Sequence, residues 1–222
     1  MPDHKFLALE GTDGSGKTTL RKVLFQALQR QGRQILTTTP LAWRDYEAAE
    51  TIVAAKAHAM PIPPPLITRA YVRDKEVLSD CILRVNLPHV PILVDRFIVS
   101  DMVYHQALWG TPPAQTYRAY CASSVRMPDC HVFVDTPPDL AFERLLARGT
   151  GGRNRWDYLD TQKRLYDTFQ EVLFSGRFPA LGQIRRIDNS GDREATSRAW
   201  LSVAYEILGL EEAPRLEAAA AQ

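Results

Sequence analysis

The sequence predicts an α/β fold, a five-stranded parallel sheet with helices on both faces, and three observations carry that prediction. Short apolar runs alternate with helical segments along the chain, the pattern that wraps a parallel sheet on two sides. Two of the runs, residues 91–95 and 130–135, are almost wholly apolar and close on an aspartate, as strands buried on both faces and ending at a ligand crevice do. The first run, residues 6–9, passes through a glycine-rich turn at 11–16 into a helix that opens at Lys17.

That turn has a chemical meaning. Gly11, Gly16, Lys17 and Thr18 satisfy the spacing G-x-x-x-x-G-K-[ST], which cradles the phosphates of a nucleotide. Glycines let successive backbone N–H groups converge on phosphate oxygens that a side chain would keep away. The helix N-terminus adds unsatisfied donors and a favourable dipole. Lys17 is spaced to reach the β- and γ-phosphates of a nucleoside triphosphate, and the Thr18 hydroxyl to ligate Mg²⁺. Asp13, Gly14, Ser15 and Thr19 complete the expected nucleotide-binding loop.

The remaining elements follow in order. Residues 17–31 have helical spacing, with Leu20, Val23, Leu24 and Leu28 on one face, and Gly32 stops them. Residues 34–39 read as strand two, ended by Pro40. The alanine-rich stretch 43–60 reads as a helix, the prolines of 61–65 as a stiff connection, and 66–87 as a second long helix. After strand three at 91–95, two helical segments at 100–108 and 114–124 flank Gly110 to Pro113. Strand four at 130–135 leads to a helix at 138–147, whose Asp139 suits the positive end of the dipole. Residues 148–155 are rich in glycine and arginine. A helix at 157–174, a fifth strand at 183–188 and a last helix at 192–208 complete the expected single domain, 1–210. The tail 211–222 lacks a core-facing pattern and is expected to fray.

Composition excludes several classes. A chain of 222 residues with 45% hydrophobic and 24% charged residues has a full globular core. A net charge of +1 offers no bulk attraction to nucleic acid or to a membrane surface. Cys81, Cys121 and Cys130 are odd in number and far apart, which fits reduced thiols and neither a disulfide framework nor a zinc site. No apolar run is long enough to span a bilayer, and the N-terminal residues have no signal-peptide character, so the expected compartment is the cytoplasm.

With these residues in view, the chain resembles the thymidylate kinases among the P-loop nucleoside monophosphate kinases. The stretch from Glu10 to Thr19 is similar to that family's E-G-x-D-G-x-G-K-[ST]-T, and Asp95-Arg96-Phe97 to its D-R-[YFH]. Ser100 and Tyr104 stand where S-x-x-x-Y follows, residues 134–139 resemble L-D-x-x-P-[ED], and Arg148-Gly149 opens the lid expected at about 148–156. The resemblance implies the P-loop kinase fold and a homodimer. It also implies transfer of the ATP γ-phosphate to a deoxynucleoside monophosphate, most simply dTMP to dTDP.

Phosphoryl transfer needs two charged substrates held in line and the charge on the moving group neutralised. Lys17 and Mg²⁺ serve the donor. Arg96, just past a strand end, is suited to clamp a phosphate in a bidentate fork, and Asp95 to hold a magnesium-bound water. The resemblance places Asp13 near the acceptor sugar's 3′-hydroxyl and Tyr104 where a 2′-hydroxyl would clash. The phosphate loop has no arginine of its own, so the resemblance assigns the catalytic arginines to the lid, Arg155 foremost and Arg153 with it.

The sequence departs from the family where the acceptor is bound. An R-E-P-G-like stretch after strand two is reduced to its proline, with Arg44 the nearest substitute. Aligning Arg73 with the arginine of the base-gripping L-L-F-x-x-x-R puts Arg69 where the aromatic belongs. Ser100 is followed by Asp101 in place of a neutral side chain. Arg69, Arg73, Ser100 and Asp101, with Asp13, Arg96 and Tyr104, are the expected acceptor contacts. A modified or different pyrimidine nucleotide or nucleoside, or a nucleotide-switched binding protein, are the competing readings.

Overall fold

The computed structural model describes residues 4–149 and 158–210. Most of the expected lid, with Arg153 and Arg155, and the tail 211–222 lie outside the described residues.

Five parallel strands form one sheet: β1 (Phe6–Glu10), β2 (Leu36–Thr38), β3 (Ile92–Asp95), β4 (Cys130–Asp135) and β5 (Gln183–Asp188), in the order β2-β3-β1-β4-β5. The central strand β1 is fully buried, and its alternation divides the core. Phe6 and Ala8 join Ile92, Val94 and Phe133 on one face, while Leu7 and Leu9 join Leu93, Val132 and Val134 on the other. Helices α5 (Ile98–Trp109) and α8 (Leu159–Phe174) cover the first face. Helices α1 (Lys17–Arg30) and α9 (Arg193–Leu208) cover the second, where Trp200 is wholly buried and donates to the Leu20 carbonyl at 2.8 Å. Each fully buried leucine or valine contributes about 1.5–3 kcal/mol over leaving it exposed.

A third, smaller cluster lies beside the sheet. Helix α2 (Tyr46–Ala57) packs on α3 (Pro64–Leu78) through Ala48, Ile52, Ala55, Ile67, Ala70 and Tyr71, with Leu41 below them. The helix expected from residue 43 starts later because Trp43 takes a left-handed φ of 55° and Asp45 caps the Ala48 N–H at 3.1 Å. The helix expected over 66–87 is interrupted. Beyond α3 the chain forms a π turn at Ser79–Leu83 and a last turn, α4 (Arg84–Asn86). There the Ser79 hydroxyl donates to the Lys75 carbonyl (2.7 Å) and accepts from the Arg126 N–H (2.9 Å), bonds that compete with the regular ladder. Helices α6 (Pro113–Cys121) and α7 (Pro138–Ala147) complete the architecture. Among the described residues, no helix is long and apolar enough to cross a membrane.

Candidate active site

The C-terminal ends of β1, β3 and β4 meet at one crevice, and the loop after β1 curls across it. Gly14 and Gly16 adopt left-handed φ values of 80° and 95°. A Cβ on Gly14 would stand 2.2 Å from the Ala141 carbonyl oxygen, and one on Gly16 would stand 2.5 Å from Asn189 Nδ2, so both glycines answer to close packing as well as to φ. The Ser15 carbonyl accepts from Thr136 Oγ1 (3.0 Å) and Asn189 Nδ2 (2.7 Å), which ties the loop to β4 and β5. Sequence reading did not single out Thr136 or Asn189, because no local pattern marks residues more than a hundred positions from the loop they hold.

Lys17 arches over this loop and donates to the Gly11 and Thr12 carbonyls (3.1 and 2.7 Å) and to Ser15 Oγ (3.2 Å). Burial, reinforced by the Arg96 charge and opposed by Asp13, Asp95 and Glu10, pulls its pKa down to about 8. Thr18 Oγ1 donates to Asp95 Oδ2 at 3.0 Å, which brings together two hard oxygen donors at the base of the loop. Magnesium is commonly held by one or two protein oxygens, with waters and substrate phosphates supplying the rest, so this pair fits it.

Arg96 follows β3 with a φ of 74°, a backbone strain of order 1–3 kcal/mol for a residue with a Cβ. The surroundings compensate it. Its guanidinium donates to the Gly11 carbonyl (2.6 Å), Ser100 Oγ (3.3 Å) and Asp13 Oδ1 (2.5 Å), and lies over the Tyr104 ring at 5.0 Å. Tyr104 O–H donates to Asp13 Oδ2 at 3.0 Å. Burial raises the Asp13 pKa, but Arg96, Lys17 and the Tyr104 hydroxyl outweigh it and hold the carboxyl below its ordinary value. Glu10, wholly buried, fixes the start of α5 by accepting from Phe97 N (3.0 Å), Ser100 N (3.1 Å) and Ser100 Oγ (2.5 Å). It satisfies orphan donors at a helix N-terminus and so positions Arg96 and Ser100.

Two cavities open from this centre. A cleft of about 550 Å³ runs along the loop past Lys17, Thr18, Thr19, Asp95 and Arg148. A narrower cavity of about 230 Å³ enters the third cluster between Tyr71, Lys75, Asp101, Tyr104, His105 and Trp109. Asp13, Pro40 and Arg96 line both. A third space of about 220 Å³ lies beyond Gly16 beside Arg144, Arg148, Asn189 and Arg193.

The structure brings together Asp13, Lys17, Thr18, Asp95, Arg96, Ser100, Asp101 and Tyr104. It does not bring Arg69 and Arg73 to them. Both lie on the outer face of α3, where Arg73 pairs with Asp45 at 2.8 Å and lines a separate surface groove together with Arg69. The alignment was two residues out of step. On a helix a shift of two turns a side chain to the opposite face, and the aromatic and cation four apart that face the cavity are Tyr71 and Lys75. Arg44 is exposed and lines none of these three cavities.

Comparison with known proteins gives the same direction. The thymidylate kinase family model matches residues 9–183. The chain belongs to the thymidylate kinase family. It is therefore a nucleoside monophosphate kinase, a transferase. A thymidylate kinase of Rickettsia canadensis is 27% identical over 194 residues, covering 79% of this chain and 85% of that protein. One from Oceanobacillus iheyensis is 26% identical over 212 residues, covering 93% and 92%.

Proposed function

We propose that the protein moves the γ-phosphoryl group of ATP onto the phosphate of a deoxynucleoside monophosphate, with dTMP, the acceptor in the family's name, as the reference substrate. The observation that carries this reading is the shared wall. The phosphate cleft and the narrower cavity meet at Asp13 and Arg96, so a donor in one and an acceptor in the other would bring their phosphates to the same guanidinium. A nucleotide switch has no use for the second cavity.

In this reading the loop amides and Lys17 hold the β- and γ-phosphates, and the donor's base enters the space beside Arg144, Arg148 and Arg193. Thr18, with Asp95 through a water, would hold Mg²⁺, which neutralises phosphate charge when bound. Arg96 turns from the Gly11 carbonyl to the acceptor phosphate as a bidentate clamp. An acceptor phosphate oxygen forms a bond to the γ-phosphorus as the bond from that phosphorus to the β–γ bridging oxygen breaks, and ADP departs. Arg155, with Arg153, closes over the developing charge from the lid. Tyr104, pinned by Asp13 and stacked under Arg96, walls the sugar position and disfavours a 2′-hydroxyl. A coupled ADP-release assay across ribo- and deoxynucleoside monophosphates tests the proposal. Acceptor-dependent ADP release with deoxy forms preferred is expected, and ADP release indifferent to every acceptor defeats it.

A further inference from the structure

Beneath the crevice a buried histidine faces the carboxylate that fixes the start of α5. His131 lies on β4 in register with Ala8 of β1, on the sheet face that also carries Phe6, Glu10 and Phe133. The His131 and Glu10 side chains are both wholly buried, and His131 Nδ1 stands 3.4 Å from Glu10 Oε1. Among the described residues neither ring nitrogen has a regular hydrogen bond, and Glu10 is the acid within ion-pair range. Glu10 Oε1 accepts from Phe97 N, while Oε2 accepts from the Ser100 N–H and hydroxyl. Having given its hydrogen to Glu10, Ser100 Oγ keeps lone pairs for Arg96 Nη1 at 3.3 Å. Contacts therefore run from His131 through Glu10 and Ser100 to the Arg96 guanidinium.

We infer that His131 is a positioning residue for the acceptor phosphate: its Nδ1–H is given to Glu10, which through Ser100 and the Phe97 amide fixes Arg96. The inference rests on reading Arg96 as the acceptor clamp. A carboxylate shut away from water is stable only while donors surround it. Without the His131 ring, Glu10 Oε1 keeps one donor, the Phe97 N–H, and the carboxylate is free to turn. A turned Glu10 lets go of Ser100, and Arg96 loses one of its anchors. Because Arg96 holds a left-handed φ of 74°, slackened surroundings let its backbone relax and carry the guanidinium off the wall that the two cavities share. Packing alone does not account for His131. An apolar side chain would fill that strand position without leaving two buried ring nitrogens unsatisfied.

The test measures by calorimetry, on the full chain without ATP, how much more tightly dTMP binds than thymidine, which lacks the phosphate. The wild-type protein is expected to favour dTMP by at least about a hundredfold. His131→Leu, which has no N–H to give, should cut that advantage by about tenfold and leave thymidine affinity in place. His131→Asn, whose amide N–H can stand where Nδ1 stood, should restore most of it. A wild-type protein that binds dTMP no better than thymidine overturns the inference. So does a His131→Leu protein that weakens both ligands alike or neither, or a His131→Asn protein no better than His131→Leu. If the variants fail to fold, the wild-type ring decides: long-range ¹H–¹⁵N spectra, assigned to His131 through its backbone, must show a proton on Nδ1, and a bare Nδ1 overturns the inference. ADP release is read separately. A dTMP advantage that falls and returns as stated, in a protein that releases no ADP with any acceptor, keeps the inference and defeats the transfer. Acceptor-dependent ADP release with an advantage indifferent to both variants does the reverse.

Discussion

The phosphate loop and the narrow cavity share Asp13 and Arg96, yet they are built from different materials. The loop is backbone. Its working groups are consecutive amides shaped by Gly14 and Gly16, with Lys17 and Thr18 beside them, and Thr136 and Asn189 brace the loop from outside. The cavity is made of side chains brought from the loop after β2, from α2, α3 and α5, and stiffened behind by Tyr120 of α6. Its polar floor, Lys75 with Asp101, joins residues 26 positions apart on different helices, as their numbers show. A backbone cradle tolerates little change because each substitution with a Cβ collides with carbonyl or amide groups. A side-chain cavity can exchange one polar group for another and keep its shape. Of the departures named from the sequence, Asp101 and the stretch at Pro40 line the cavity, whereas Arg69 and Arg44 do not, and the loop keeps its motif.

Substitutions can break this contrast. The largest expected effect is on the loop side. Lys17→Ala should lower kcat/KM by at least about a hundredfold for every acceptor alike while the protein stays folded, checked by steady-state kinetics beside circular dichroism. An effect that depended on the acceptor would blur the division between the two regions. Arg155→Ala should reduce kcat by on the order of a hundredfold with a smaller change in ATP affinity, measured by turnover and equilibrium binding.

The Lys17 pKa gives a pH signature of the same region. The ammonium is present below about pH 8 and lost above it, so kcat/KM for ATP should fall with rising pH through that value, approaching tenfold per unit. Lys17→Arg, which stays charged, should abolish this limb in whatever activity it retains.

Cavity-side changes should be smaller and selective. Asp74, wholly buried on α3, accepts from Ala42 N (2.6 Å) and Trp43 N (2.9 Å) and so holds the segment that carries Pro40 and Leu41 into the cavity wall. Asp74→Asn keeps the shape but loses one acceptor, and is expected to raise the acceptor KM by about tenfold, leave the ATP KM in place, and cost about 1–3 kcal/mol in denaturant unfolding. Tyr104→Ala should narrow the preference for deoxy over ribo acceptors by a few-fold, read from paired kcat/KM values. A large loss of ATP binding in either variant would mean that the two regions do not act separately.

By itself the sequence determined the elements whose information is local. The phosphate loop, the strands closing on Asp95 and Asp135, and the alternation that makes a parallel sheet can each be read within a dozen residues, since strand pattern, glycine placement and helix start are properties of neighbours. Its reading of α3 failed by two residues. The stretch Arg69-Ala-Tyr-Val-Arg-Asp-Lys75 offers two cation registers, and only packing against α2 and α5 chooses which face turns inward. Tertiary structure also decided that Asp101 meets Lys75 and Tyr120, that Glu10 caps α5, and that Asn189 supports the loop from the far edge of the sheet. Those are contacts between residues distant in sequence, and their partners are set by where the sheet order β2-β3-β1-β4-β5 brings each strand end, which no local pattern encodes.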